Sequence, residues 1–375
     1  MNEDPQLWKY VYRSSYKTIV KRVASNPNEA CYIDVNGDTA LHHLVQHRLK
    51  KRKQSQSYPI EAIKAVYSAF PEAAKLRNRK GGSTPLHIAS YCASTEVVTY
   101  LLQVFPGAAV MGDNIGRTPL HCACYSRNDN VRKVMIIARS CPESVNIKNN
   151  EKVTPLMDLT FRHTSHIENI LCSKDVHIID TLRYATTVSQ EFSFPLLDYW
   201  LMAKCMIETV KFGKFTGNLQ SNMSWNIVHY CLGMKHFPSR LLRLILKIYE
   251  DQIGKIDQNG YHALHIAAAN PTITGLDAEN IISELINAYP PATEALCGTR
   301  SCLALAIDKD YGKKCWNSGV KNIYSAYSIA AIEKDVFTGM FPFMLAAASP
   351  LCDISTVYRL FRFCPEMDRF VNTEG

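Results

Sequence analysis

Residues 81–106 read GGSTPLHIASYCASTEVVTYLLQVFP, and residues 114–142 read NIGRTPLHCACYSRNDNVRKVMIIARSCP. Both segments contain the tetrapeptide Thr-Pro-Leu-His, and Thr118 follows Thr84 by 34 residues. Self-similarity at a fixed period of roughly 20–50 residues is the signature of repeat architectures. The chain is therefore expected to be an array of similar units rather than a domain with one conventional core.

Weaker copies of the motif extend the array in both directions along the chain. They keep the same slot at Thr39 (GDTALHHL), Thr154 (KVTPLMDL), Asn226 (SWNIVHYCL), His262 (NGYHALHIAAA), Ser301 (SCLALAI) and Phe341 (GMFPFMLAAA). A second marker follows the first in most copies: two apolar pairs separated by two residues, then an aromatic residue or Cys, usually followed by Pro. The clearest example is Val97, Val98, Leu101, Leu102, Phe105 and Pro106.

These two markers predict the structure of one unit. A Gly before the slot allows a turn with positive φ, as at Gly82 and Gly116. Thr84 then caps a short helix whose first turn tolerates Pro85, because no N–H is needed there. The paired apolar residues form one stripe of a second helix, which the next Pro ends. One such helix pair cannot bury its own stripe, so neighbouring units must stack on it.

The Gly-x-Thr-Pro-Leu-His-x-Ala pattern at this spacing resembles the ankyrin repeat family. The resemblance implies an all-α solenoid of stacked helix-turn-helix units with short turn or hairpin fingers. About eight or nine repeats are expected, some of them degenerate. The expected organisation is an N-terminal segment and capping half-repeat over 1–33, regular repeats over 34–158, a degenerate repeat or helical joint over 159–220, and C-terminal repeats over 221–375 with an open-ended last unit. Pro195–Phe212 is expected to be a long helix, and Tyr16–Pro27 a second helix without a first.

Composition sets the expected environment of the protein. The 375-residue chain carries a net charge of +8 and thirteen cysteines, with no run of roughly 18 uncharged apolar residues that would span a membrane. Its first residues, MNEDPQLWKY, lack the basic and apolar segments of a signal peptide. The chain is therefore expected to be intracellular, cytoplasmic or nuclear, with reduced cysteines that pack as small apolar residues. No cofactor or metal is predicted.

Two clusters of polar residues leave alternative functions open. Arg48, Lys50, Lys51, Arg52 and Lys53 form a basic run that is a candidate import signal, which would suit a nuclear regulatory factor. The irregular stretch 159–220 could hold the chemistry of an enzyme or an enzyme regulatory subunit. Its polar residues are His163, His166, Glu168, Asp175 and His177. By contrast, the His of each repeat motif is interpreted as a hydrogen-bonded residue that stabilises its turn.

The resemblance implies a non-catalytic adaptor or scaffold that binds another protein through a concave groove of turn tips and first helices. Basic residues at several tips favour an acidic partner segment, whereas nucleic acid and membrane are not expected as partners. The family's variable groove positions correspond here to Lys80, Ser83, Tyr91, Asn114, Ile115, Arg117, Tyr125, Ser126, Lys152, Phe161, Arg162, Gln258, Asn259 and Tyr261.

Overall fold

The computed structural model describes residues 6–13, 15–46, 60–126, 130–173, 175–184, 195–213 and 226–364. This part of the chain is mostly helical, and its one β-sheet is a hairpin of β1 (Leu296–Cys297) and β2 (Arg300–Ser301). No helix in these ranges is both long enough and apolar enough to cross a membrane. The α-helices are α1 (Gln6–Tyr12), α2 (Tyr16–Ser25), α3 (Ala40–Gln46), α4 (Ile60–Ala69), α5 (Pro85–Cys92), α6 (Thr95–Val104), α7 (Pro119–Cys124), α8 (Asn130–Ser140), α9 (Pro155–Arg162), α10 (Thr164–Cys172), α11 (Val176–Tyr184), α12 (Pro195–Phe212), α13 (Ile227–Gly233), α14 (Ser239–Ile248), α15 (Ala263–Ala269), α16 (Gly275–Ala288), α17 (Cys302–Ile307), α18 (Val320–Ala326), α19 (Pro342–Ala348) and α20 (Ile354–Arg362).

The local signals of the repeat act as the sequence predicts. Thr84 and Thr118 begin α5 and α7, each followed by Pro at the first helical position. The Pro after a second helix begins a 3₁₀ turn in several units, over Pro71–Ala74, Pro106–Val110, Pro142–Val145 and Pro290–Thr293. The predicted turn glycines all have positive φ, at Gly37, Gly82, Gly116, Gly260 and Gly339. The helices of these repeats therefore begin and end at their own capping and turn residues.

The helices fall into two compact units, each larger than one repeat and each built from two separate stretches of the chain. The first contains the described residues up to His163 together with 195–213, and the second contains 164–184 together with 226–364. In the first unit the short helices α3, α5, α7 and α9 pack side by side, and α6, α8 and α12 follow one another behind them. Helix α12 contacts both α8 and α9, so it completes the repeat that Thr154 begins. The expected long helix is confirmed with its predicted bounds.

The first unit begins with a complete helix pair, so the expectation of a single capping helix is wrong. Helix α1 packs against α2 and α3, while α2 packs against α4. Leu7, Trp8 and Val11 of α1 are buried, and the backbone N–H of Leu7 donates to the Glu29 carboxylate at 2.9 Å. A seven-residue helix without the Thr-Pro-Leu-His motif offers only these three core residues as a signal, which is too few to define a period.

The second unit repeats the arrangement with α13, α15, α17 and α19 as neighbouring first helices, and α10 and α11 both contact α14. Residues 308–319 between α17 and α18 form an inserted segment, which is held by buried charges. Arg300 Nη2 lies 2.6 Å from Asp308 Oδ2, and Arg300 Nε lies 3.0 Å from Asp335 Oδ1. The buried ammonium of Lys314 donates to the carbonyls of Ala268 and Asn270 near the C-terminal end of α15. A cation at this end of a helix is favoured by its unpaired carbonyls.

Candidate functional site

Side chains that fold back on their own turns shape the fingers of the first unit. Asp113 Oδ1 accepts the backbone N–H groups of Ile115 and Arg117 at 3.0 and 2.9 Å. Asn149 Oδ1 accepts those of Glu151 and Val153 at 3.0 and 2.9 Å. Asx turns of this kind replace the backbone bonds that a tight turn lacks. The finger conformation is therefore set by residues within each repeat.

Neighbouring fingers are joined through their backbones. Arg79 N donates to Asn36 O at 2.7 Å, Asn114 N to Gly81 O at 2.9 Å, and Asn150 N to Ile115 O at 3.0 Å. At the Gly116 position a Cβ would lie 2.8 Å from Asn150 N, closer than real Cβ contacts come. Glycine is thus needed here both for its positive φ and for the close approach of the next finger.

The repeat histidines form a second connection between neighbouring repeats. His87 Nδ1 accepts the Thr84 N–H at 3.2 Å, and His87 Nε2 lies 2.9 Å from the Arg117 carbonyl. Because a carbonyl can only accept, Nε2 carries the proton and the ring is neutral. His42 and His121 make the same bonds to Ser83 O and Val153 O. Burial lowers the pKa of His87 to about 4. The interpretation of the motif histidine as a hydrogen-bonded residue that stabilises the turn is confirmed for these three repeats.

The second unit keeps only half of this histidine arrangement. His229 Nε2 lies 3.0 Å from Tyr261 O, and His265 Nε2 lies 2.9 Å from Ala295 O. The slot residues there are Asn226 and His262 instead of Thr. In the described structure, Nδ1 of both His229 and His265 is buried without a hydrogen-bond partner. The link to the next repeat therefore survives where the link to the cap is lost.

A concavity of about 430 Å³ opens on the first helices of the repeats that begin at Thr84 and Thr118. Four predicted site residues line it, namely Ser83, Tyr91, Arg117 and Tyr125. Sequence reasoning missed its other lining residues, which are Gln46, His87, Ile88, Cys92 and Cys122. Helical spacing could have revealed two of them, because His87 and Ile88 lie one turn before Tyr91 along α5.

Two side chains at this concavity are held by aspartates of the fold. Arg117 donates from Nε and Nη2 to Asp113 Oδ2, at 3.0 and 2.9 Å. The Tyr125 hydroxyl donates to Asp158 Oδ1 at 3.0 Å, and the Arg162 guanidinium lies 4.4 Å from the centre of the Tyr125 ring. Burial and the neighbouring Asp158 charge raise the pKa of Tyr125. The floor of the concavity is thus preorganised and close to neutral.

The finger tips around the concavity carry an excess of positive charge. Arg79, Lys80, Lys148 and Lys152 are exposed, while Glu151 is an exposed acid among them. Apolar surface accompanies these cations: the side chains of Tyr91, Ile115 and Phe161 are 42%, 51% and 77% exposed. A surface with exposed aromatic residues and basic rims can bind an acidic segment that also carries apolar side chains.

The remaining predicted residues do not join this concavity. Asn114 is exposed at a finger tip, whereas Ser126 is only 5% exposed and accepts a hydrogen bond from the buried Lys133. The side chain of Ser126 serves the fold and does not belong to the proposed partner surface. Gln258, Asn259 and Tyr261 belong to the second unit. The basic run of Arg48, Lys50, Lys51, Arg52 and Lys53 lies outside the described residues.

The polar residues of the irregular stretch have structural contacts of their own. His163 stacks on Tyr199 in the first unit, with ring centres 5.0 Å apart. Glu168 pairs with Arg240 at 3.0 Å in the second unit. Asp175 Oδ1 accepts the backbone N–H of His177 at 3.0 Å, beside the first turn of α11. These contacts account for His163, Glu168 and Asp175 without bringing them together into one site.

One cluster has the composition of a metal site. Single ligand atoms of Asp34, Asp38 and His43 lie within 4.8 Å of one another. Asp34 Oδ1 already accepts the N–H groups of Asn36 and Asp38, and its Oδ2 lies 3.2 Å from His43 Nε2. Asp38 accepts from Asn78 at 2.9 Å. Bonds within the protein therefore account for this cluster.

Comparison with known proteins identifies one family. Residues 55–149 match a family model described as ankyrin repeats (3 copies). This range contains His87, His121 and most of the residues that line the concavity. No curated protein matches the chain in sequence.

Proposed function

We propose that this chain, whose residues 55–149 are ankyrin repeats, is a non-catalytic adaptor or scaffold that binds a partner protein in the groove of its first unit. Ankyrin repeats are in general protein–protein interaction modules, and solenoid repeats present extended concave surfaces for binding. The observation that carries the proposal is the concavity of about 430 Å³ lined by Tyr91, Arg117 and Tyr125. We call this concavity and the exposed finger tips beside it the groove.

The chemistry of the groove favours a partner segment that is acidic and partly apolar. Tyr and Arg are enriched among the residues that dominate protein interfaces. Asp113 and Asp158 hold Arg117 and Tyr125 in place, so binding would cost little side-chain entropy. The exposed cations at the tips would then attract acidic residues at the edge of the interface.

The proposal includes the arrangement of repeats along the whole chain. We propose a solenoid of eight or nine repeats with 34–158 and 221–375 as its repeat-bearing parts, joined by 159–220. An intracellular location, cytoplasmic or nuclear, agrees with this role. The contact of α12 with α9 supports a repeat that begins at Thr154 and takes its second helix from within 159–220.

The test compares two surface variants as baits in affinity capture with quantitative mass spectrometry. The groove variant is Tyr91→Ala with Phe161→Ala and Lys80→Glu, because these exposed side chains can be changed with little effect on the fold. The matched control is Lys64→Glu with Gln103→Ala, which changes exposed residues of the second helices α4 and α6.

Partners that bind in the groove should be retained by wild type and by the control, and recovered at least roughly tenfold less by the groove variant, the loss expected when interface anchors are truncated. Circular dichroism would show that all three baits are folded. Equal recovery of every partner by the groove variant and the control would refute the placement of the site.

A further inference from the structure

Two cysteines of the second unit are hydrogen-bonded reciprocally across 36 residues of chain. The Cys315 thiol donates to the carbonyl of Leu351 at 3.1 Å, and the Cys352 thiol donates to the carbonyl of Lys314 at 3.8 Å. Each sulfur thus contacts the peptide group that immediately precedes the other cysteine. The Cys315 side chain is also a hydrogen-bonding neighbour of the Cys352 thiol. The two sulfurs therefore lie side by side.

The backbone on both sides of Cys315 is fixed. Lys314 donates from its backbone N–H to Ala306 O at 2.8 Å, and its ammonium is held at the end of α15. The N–H of Trp316 donates to Thr356 Oγ1 at 2.6 Å. These bonds fix the backbone that holds Cys315 next to Leu351 and Cys352. A disulfide forms readily only when the two residues already approach closely.

The anchoring of Cys352 uses the same threonine. Asp353 follows Cys352 and caps α20, where its Oδ1 accepts the Thr356 N–H at 2.6 Å. Thr356 is fully buried and contacts the segments of both cysteines. The inserted segment after α17 and the turn before α20 are therefore held against each other before any covalent bond forms.

The environments of the two thiols differ in a way that orders the chemistry. Burial raises the pKa of the Cys352 thiol to about 12, so it stays protonated at neutral pH. Both cysteines are half-buried, but the hydrogen bond of Cys315 to Leu351 lies at the exposed surface, whereas that of Cys352 to Lys314 is partly buried. The thiolate is the form that attacks an oxidant, and susceptibility follows exposure. Cys315 is therefore the residue that would react first.

We propose that Cys315 and Cys352 form a redox-responsive dithiol that a peroxide converts to a disulfide. The Cys315 thiolate attacks one peroxide oxygen, the O–O bond breaks, and Cys315 becomes a sulfenic acid while the other oxygen leaves as water after taking up a proton. The Cys352 sulfur then attacks the Cys315 sulfur, the S–O bond breaks, and the departing hydroxyl takes the Cys352 proton. Two thiols and one hydrogen peroxide give one disulfide and two waters.

Both cysteines belong to the second unit, so this proposal does not rest on the proposed groove of the first unit. It would tie the inserted segment to the turn before α20, and a dithiol reductant would release it by thiol–disulfide exchange. Disulfides in a reducing compartment are usually transient and redox-sensing, which agrees with a bond that forms only on oxidation.

The test treats the reduced full-length chain with a few equivalents of hydrogen peroxide, blocks remaining thiols with N-ethylmaleimide, and digests with trypsin. Trypsin releases Cys315 in the peptide 315–321 and Cys352 in the peptide 335–359, each with a single cysteine. We expect the two peptides to appear joined, and dithiothreitol to separate them. The exposed Cys31 and Cys172 serve as internal controls, and we expect neither to be joined to the 315–321 or the 335–359 peptide.

Two variants test the order of reaction with dimedone, which traps sulfenic acids. In Cys352→Ser we expect a dimedone adduct on Cys315, whereas in Cys315→Ser we expect Cys352 to remain unlabelled. If the joined peptides do not appear in peroxide-treated wild type, the proposal is overturned, and this result does not depend on whether the variants fold. An adduct on Cys352 in folded Cys315→Ser would overturn the assigned order.

Discussion

Replacing His87 by Asn isolates the hydrogen bond that joins two repeats. The side-chain oxygen of the introduced asparagine occupies the place of Nδ1 and can still accept the Thr84 N–H. The asparagine is too short to replace Nε2, which lies 2.9 Å from Arg117 O in the wild-type chain. The lost bond and the orphaned buried carbonyl cost about 1–3 kcal/mol. The missing ring atoms add up to about 1 kcal/mol. At a pH of about 7.5 we therefore expect His87→Asn to lower the free energy of unfolding by about 1–4 kcal/mol.

The same substitution should change how stability depends on pH. The pKa of His87 falls from 6.5 in the unfolded chain to about 4 in the fold. The contribution of the neutral ring is complete above pH 6.5 and is lost as the pH falls through about 4, because the unfolded chain binds the proton first. A shift of this size corresponds to about 3 kcal/mol. The variant lacks this loss, so its deficit should shrink towards zero near a pH of about 4.

Urea unfolding followed by far-UV circular dichroism at several pH values between about 4.5 and 7.5 measures this convergence. His177→Asn is the control, because that side chain is exposed and its replacement should leave the free energy of unfolding at a pH of about 7.5 unchanged. A deficit for His87→Asn that stays constant over this range would show that the ring is not held neutral by burial. Equal behaviour of the two variants would refute the structural role of His87.

Four further substitutions test the fold. Gly116→Ala should lower the free energy of unfolding by about 2 kcal/mol or more, and Gly260→Ala by about 1 kcal/mol. Both glycines have positive φ, but only a Cβ at position 116 would press on Asn150. Thermal unfolding of the two variants checks this, and equal losses would contradict it. Arg300→Met should lower the free energy of unfolding by about 3–5 kcal/mol, because it leaves two buried carboxylates unpaired; a loss below about 1 kcal/mol in urea unfolding would contradict it. Burial lowers the pKa of Lys314 from 10.5 to about 7, so wild-type stability should rise between pH 7 and 10.5, where only the unfolded chain holds the proton. Lys314→Met should show a smaller rise in the same titration, and an unchanged rise would exclude Lys314 as its source.

The repeat-forming part of this protein was readable from sequence because its signals are local. Thr84 and Thr118, their prolines and the turn glycines act within a few residues, so their meaning does not depend on distant chain. The bounds of α12 were predicted for the same reason, since Pro195 begins the helix and its apolar residues continue to Phe212. Tyr91, Arg117 and Tyr125 could be placed on one surface because repeats stack in a fixed register.

What the tertiary structure decided depends on contacts between residues far apart in the chain. The motif pattern could not show that α12 packs against α9, that α1 packs against α3, or that the buried Lys133 donates to the carbonyl of Ala93. The adjacency of Cys315 and Cys352 likewise arises from the path of an inserted segment. The sequence alone thus determined the repeating unit and its capping chemistry. Packing decided which helices share a compact unit and which polar groups meet. Both depend on contacts such as those of Cys315 with Leu351 and of Lys133 with Ala93, which are 36 and 40 residues apart in the chain.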